Sequence, residues 1–361
     1  MRALLLLLLL NFGIGYGQTL SGYVFDEAEN KPLEGAFVYI DGTTLSATTD
    51  AKGFFKIVTA QKYNAPLVIK YMGFETLTVN DPYQYNGPIK VLLRDDAIQL
   101  NEVVITKGGP FTRKQMLRAF RRQFLGDRGG SRCKIENEDD IILHFDTKDN
   151  TLHAKAYKPI IINNNYLKYK VAFDLSAFQA GYSYQTLNDE NNRGSFFAGT
   201  TFFTDLSSKG GADKKRKEAY VGSTVHFMRA VADDNWQKEN YQLYADKIPV
   251  SHKEFFKVTD TLNVKKVELI DIPQSVKNIR SSMDANPGLI NHYKANHPEK
   301  YSDVKFIVIH GKEQTTINFR NGVFYIDENG LFFPLNELTF GGYMGELKAG
   351  DLLPADYVFA P

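Results

Sequence analysis

Between residues 18 and 107, apolar and polar positions alternate in short runs, and turn-forming residues interrupt them about every 8–12 positions, as strands of a β-sandwich do. "LSGYVFDE" alternates up to the loop "AENKP". In "GAFVYIDG", Ala36, Val38 and Ile40 point one way and Phe37 and Tyr39 the other. "TTDAKGFFKI" reads as strand, tight turn and strand, with Asp50 capping the turn's amides and Gly53 taking the conformation that closes it. "PLVIKYMGFETLTV" is a strand pair bent at Gly73, and "IKVLLRD" and "LNEVVIT" complete the set.

From residue 108 the pattern opens differently. "FTRKQMLRAFRRQFLG" has helical spacing over about 113–125: Met116, Leu117, Phe120 and Phe124 share a stripe, and Gly126 ends it. Thr112 and Gln115 stand as a capping box, with Phe111 and Met116 as a hydrophobic staple. Strand-like alternation then resumes in "DDIILHFDT", "TLHAKAY", "YLKYKVAFDLSAFQAGY" and "GSFFAGTTFFTDL". "SSKGGADKKRKEA" reads as a solvated basic loop, and about 219–234 as a second helix with His226 and Arg229 on its outer side. "YQLYAD", "FFKVTDTLNVKKVELIDI" and "VKFIVIHG" are further strands, followed by a meander containing Asn321-Gly322 and Asn329-Gly330. "SSMDANPGLINHYKANHPEKYSD" predicts a loop with one short helix, and no fixed repeat is visible. The expected fold is mainly β: a sandwich at 18–107, then a second β-rich domain at 108–361 with one or two helices.

Composition agrees with strands: 26 Phe and 20 Tyr stand against one Trp in 361 residues. Residues 1–17 follow the plan of a secretory signal peptide, with Arg2, the apolar run Ala3–Leu10, and Gly15-Tyr16-Gly17 before the cut. The apolar run is shorter than the ~20 residues that span a membrane. Without Arg2, the 43 basic residues become 42 and match the 42 acidic ones. Zero net charge argues against a nucleic-acid partner. Cys133 is the single cysteine, so no disulfide forms within the chain, and no Cys/His/Asn set makes it a nucleophile.

Several spaced elements of the first segment carry a resemblance. Gly22-Tyr23-Val24, Pro32-Leu33-Glu34-Gly35-Ala36, Gly42-Thr43-Thr44, Thr49-Asp50, Gly53-Phe54-Phe55, Tyr71-Met72-Gly73-Phe74 and Leu100-Asn101-Glu102-Val103-Val104 occur in the order found in the carboxypeptidase regulatory-like domain. The resemblance implies a transthyretin-like (prealbumin-like) sandwich of about seven strands, in which Pro32, Gly35, Asp50, Gly53 and Gly73 are structural. In relatives this module precedes TonB-dependent importers of the outer membrane or accompanies carboxypeptidases. Neither activity transfers. About 250 residues are too few for a plug and a 22-stranded barrel. Of His144, His153, His226, His252, His292, His297 and His310, only His310 has Glu three residues on, Glu313, and there is no His-Glu-x-x-His; one such pair by chance falls short of the ligand set with a distant third His that a zinc peptidase requires. The remainder is similar to the C-terminal part of exported bacterial proteins with the same module, which implies no activity.

No catalytic, cofactor or metal residues are predicted. Asp50 lacks the neighbouring oxygen ligands of a calcium loop, and no Gly-x-Ser-x-Gly elbow or phosphate loop occurs. The candidate interaction surface is the basic helix face Arg113, Arg118, Arg121 and Arg122, for which pairing with "ENEDD" at 136–140 is the competing and preferred reading. The expectation is an exported, non-catalytic accessory or binding protein of the cell envelope, periplasmic or peripherally attached to the outer membrane. Its ligand would be a glycan, a peptide or an envelope protein. An envelope hydrolase with a dispersed site and a small embedded barrel are the alternatives.

Overall fold

Among the described residues, the alternation in the first segment resolves into seven strands in two sheets. The computed structural model describes residues 18–96, 109–208, 210–262, 264–284 and 287–358. The expected signal peptide and the "LNEVVIT" strand lie outside these. The chain divides into two units, Met1–Glu102 and Val103–Pro361, each taken by itself below.

In the first unit, β1 (Gln18–Asp26), β4 (Phe54–Thr59) and β7 (Ile89–Leu93) form one sheet with β1 in the middle, antiparallel to β4 and parallel to β7. The other sheet has the order β3 (Ser46–Thr48), β2 (Phe37–Ile40), β5 (Leu67–Lys70), β6 (Leu77–Val79). Every second residue is buried in the three-stranded sheet: Leu20, Val24, Phe55, Ile57, Ile89, Val91 and Leu93. Between β3 and β4 the Asp50 carboxylate accepts from the amides of Lys52 (2.8 Å) and Phe54 (2.9 Å). Gly53 has φ +72°, and a Cβ there would lie 2.4 Å from the Val24 carbonyl, so only glycine lets this turn close onto β1. Pro32 bridges to Phe25, and the Gly35 amide donates to Thr49 O. Gly73 turns the chain between β5 and β6.

The second unit begins with α1 (Arg113–Leu125), whose capping box is complete: Gln115 N donates to Thr112 Oγ1 and Thr112 N to Gln115 Oε1. It lies on a six-stranded sheet built around the hairpin of β12 (Tyr169–Tyr182) and β13 (Asn192–Asp205), with a bulge between Leu175 and Ala177. Along the other edge of β12, β10 (Thr151–Ala156) and β11 (Ile160–Asn164) follow one another. They are flanked in turn by β9 (Ile141–Asp146) and β8 (Cys133–Ile135). Phe124 packs on Phe173, Phe178 and Phe197 at ring separations of 5.0, 6.4 and 5.3 Å, and on Phe120 at 5.0 Å. A short helix α2 (Asp127–Arg132) leads from α1 into β8.

A second core gathers around a five-stranded sheet and a four-stranded one. The first has the order β15 (Ile248–Val250), β14 (Tyr241–Ala245), β18 (Lys305–His310), β19 (Glu313–Phe319), β22 (Leu338–Gly342). The second has the order β16 (Phe256–Thr261), β17 (Val264–Leu269), β20 (Val323–Asp327), β21 (Phe332–Phe333). Phe227, Met228 and Val231 belong to this core with Trp236, Phe256, Val267, Phe306, Ile317, Phe324 and Ile326. Met344 of the short helix α7 (Tyr343–Glu346) also joins it, whereas Ala349, five residues on, belongs to the core beneath α1.

Four expectations are corrected. The helix expected over 219–234 is two, α3 (Asp213–Tyr220) and α4 (Thr224–Ala232), separated at Gly222, whose φ is +80°. The basic loop before it is therefore helical from Asp213, and Arg216 is buried. Its guanidinium clasps both Asp205 oxygens (2.7 and 2.8 Å) and donates to Leu167 O. The 281–303 segment lies largely in helices, α5 (Gln274–Asp284) and α6 (Pro287–Asn296). Arg280 and Tyr293 fasten this pair by sharing the Asp303 carboxylate.

His226 is not a surface residue but is buried on α4. Its Nδ1 lies 3.0 Å from the Gly222 amide and 2.8 Å from the Tyr241 hydroxyl, and its Nε2 lies 3.1 Å from Glu239. A backbone N–H aimed at Nδ1 requires an acceptor there, which fixes the neutral ring with its proton on Nε2. Burial lowers the His226 pKa, outweighing the Glu239 contact that would raise it; Arg229 adds a small lowering influence. His310, whose ring centroid is 5.6 Å from that of His226, is also lowered, by burial and then by His226.

Two measurements follow from this packing. Phe124→Ala is expected to cost about 3–5 kcal/mol, because four rings lose a common partner; urea unfolding that shows less than about 1 kcal/mol would contradict the packing. The neutral His226 and His310 contribute stability that is complete above the ordinary histidine value of 6.5 and is lost as pH falls below it toward their lowered folded values. The unfolding midpoint should therefore drop between about pH 7 and 5. His226→Gln should be less stable at pH 7 yet show a flatter dependence over that window. An unchanged slope would reject the assignment.

Candidate binding cleft

The C-terminal end of α1, the start of β13 and the segment after β22 meet around a cleft of about 640 Å³. Each wall owes its place to packing already described. Phe120 and Phe124 hold α1 on the sheet, which sets Arg122 and Gln123 at the rim. Pairing with β12 places Ser195 opposite Ala180. Met344 and Ala349, anchored in different cores, stretch Lys348 across the gap.

Charges of both signs are fixed here. Arg122 reaches Asp127 (2.9 Å) and Asp189 (3.1 Å), and the Gln123 amide donates to the other Asp189 oxygen (2.7 Å). The Arg128 guanidinium sits 5.1 Å from the Tyr343 ring centroid. Glu313 and Glu346 lie exposed at the edge. On the floor, Lys348 Nζ donates to Ser195 Oγ at 3.1 Å, and Ser195 Oγ stands 3.5 Å from the Gln123 carbonyl. Lys348 also borders a smaller cavity of about 170 Å³ with Phe197, Leu331, Leu352, Leu353 and Tyr357 among its walls. A third hollow of about 750 Å³, polar and open, lies by Asp234, Trp236 and His252; the His252 ring stacks on buried Trp236 and bonds Asp234.

The basic helix face is divided by the structure. Arg113 donates to the carbonyls of Glu138 and Ile141, and Arg121 pairs with the Glu138 carboxylate. Arg122 enters the cleft wall, and Arg118 stays exposed. Burial pushes the Cys133 thiol up to about 12, so it is protonated at neutral pH and a poor nucleophile. Pro32, Gly35, Asp50, Gly53 and Gly73 all serve turns or bridges of the first unit, where Tyr23, Phe25 and Phe54 form a small aromatic group on the outward side. Among the described residues, no three His, Cys, Asp or Glu side chains gather as metal ligands, and no helix is long and apolar enough to cross a membrane. Ser195 and Lys348 escaped the sequence reading: they lie 153 residues apart, and neither sits in a recognisable motif.

Comparison with known proteins bears on the first unit. No curated protein matches the chain. Among solved structures, the chain is similar to one in a type II cohesin–X–dockerin complex from Acetivibrio cellulolyticus (Coh3ScaB–XDoc_M2ScaA, a C-terminal interface mutant). Identity is 24%, the match covers 21% of this chain and 57% of that one, and the TM-score is 0.18, an extent that carries no functional argument. The CarboxypepD_reg-like domain family matches residues 20–105. Together with the seven paired strands, this makes the first unit a carboxypeptidase regulatory-like domain, joined to a second, β-rich unit that holds the cleft.

Proposed function

We propose that the protein is a non-catalytic accessory protein of the cell envelope that binds a polar ligand, a glycan or a peptide segment, in the cleft of its second unit. One observation carries the reading: Arg122, Arg128, Glu313 and Lys348 surround an open volume large enough for several sugar or amino-acid residues. The floor offers a ligand a polar pair, Lys348 Nζ and Ser195 Oγ 3.1 Å apart, with the Gln123 carbonyl 3.5 Å from the same hydroxyl. The leader expected at residues 1–17 favours export, and the regulatory-like domain favours an accessory role beside other envelope components.

Hydrogen–deuterium exchange tests this on the chain alone, with soluble glycan oligomers, and with an envelope peptide mixture. Exchange should slow at residues 122–128, 192–195 and 343–348 with one of the two. No slowing there with either, or slowing confined to other segments, would reject the cleft as the binding site.

A further inference from the structure

Lys348 is electrostatically unlike the other lysines whose state the fold shifts. Lys31 and Lys266 are raised by hydrogen bonds to Glu29 and Glu268, whereas Lys348 is moved by burial alone, downward, with no carboxylate to offset it. The nearby Asp351 faces the wrong atom: its Oδ2 lies 3.3 Å from the Lys348 backbone amide. An ammonium carries three N–H donors, and Ser195 Oγ occupies one. A half-buried cation whose donors are incompletely used is costly in isolation and well suited to an incoming anion.

We propose that Lys348 and Ser195 form an anion subsite that takes a single carboxylate, the C-terminal carboxylate of a peptide segment. This deepens the cleft-binding reading and rests on it. The neighbouring charges decide in favour of one carboxylate over a doubly charged anion. Arg122 is held by Asp127 and Asp189, and Arg193 donates to the Asp149 carbonyl. The cations lining the cleft, Arg122, Arg128, Arg193 and Lys348, are matched by Asp127, Asp189, Glu313 and Glu346. A dianion therefore meets as much repulsion as attraction away from Lys348. A zwitterionic peptide places its carboxylate on Lys348 and its ammonium or amide groups toward Glu313 and Glu346. The stem of Lys348 is held in place by Gly126, where φ is +82° and a Cβ would press on Lys348 Cβ and Cγ at 3.2 Å.

The test is a nuclear magnetic resonance titration of the deuterated, ¹⁵N-labelled chain with Ala-Ala-Ala, its C-terminal amide and inorganic phosphate. Ala-Ala-Ala is expected to shift the Ser195, Gly345 and Lys348 amides saturably. The amidated peptide should bind about tenfold more weakly or worse, since a charge-assisted bond is lost. Lys348→Met, which keeps the stem, should weaken the acid to the level of the amide. Lys348→Arg should retain binding, and Ser195→Ala should fall between. Equal binding of acid and amide, or an undiminished Lys348→Met, overturns the subsite. Tighter binding of phosphate than of Ala-Ala-Ala overturns the single-carboxylate assignment. Should Lys348→Met fail to fold, the acid–amide comparison on the unaltered chain and on Ser195→Ala decides. If glycan oligomers protect the cleft from exchange while Ala-Ala-Ala does not bind, the subsite falls and the binding reading stands; if no ligand reaches the cleft, both fall.

Discussion

The contact between α1 and the β12–β13 hairpin is the constraint on which the second unit depends. Phe124 is the common partner of rings from the helix and from both strands, and it carries no polar atom that could settle elsewhere. Burying it fixes the helix direction, and with it the place where Arg122 and Gln123 emerge. The same contact fixes the face of β13 that Ser195 occupies relative to Gln123. The polar cleft is placed by an apolar decision, and bonds within it, from Arg122 and Gln123 to Asp189, then hold its wall.

The two units divide their roles differently. In the first, the residues that give the regulatory-like domain its signature are consumed by turns and bridges, as Asp50 and Gly53 show, and its chemistry is spent on folding. In the second, polar groups remain available where three chain segments converge. The first is a module of common design, and the cleft by α1 in the second has its charges set by its own strands and helices.

What could be read from the sequence was whatever depends on near neighbours. Thr112 and Gln115 are three residues apart, and their capping box appears as expected. The strands of the first unit follow from alternation that needs no partner to be recognised. Arg216 shows where this fails: four basic residues in a row look solvated, yet one finds Asp205 and two carbonyls from the β11–β12 turn. His226 was misplaced for the same reason, since Tyr241 and Glu239 come from beyond the end of its helix. The helices α5 and α6 were hidden by Pro287-Gly288, which read as a break, although a proline is well placed at a helix start and here opens α6. Lys348 could not be recognised at all, because its surroundings are assembled from residues distant in the chain.

The segment from Met344 to Leu353 contributes to both cores of the second unit. It also comes after every strand that it touches. During synthesis the first unit has all of its described strands once residue 93 has emerged, and the core they enclose can close early. The second cannot: until Ala349 and Gly350 appear, the core beneath α1 lacks a wall, and Asn164 lacks the Gly350 carbonyl that its side chain bonds. Folding of that unit is thus timed by its last elements, and the cleft comes into existence only when the chain has been made almost to residue 353.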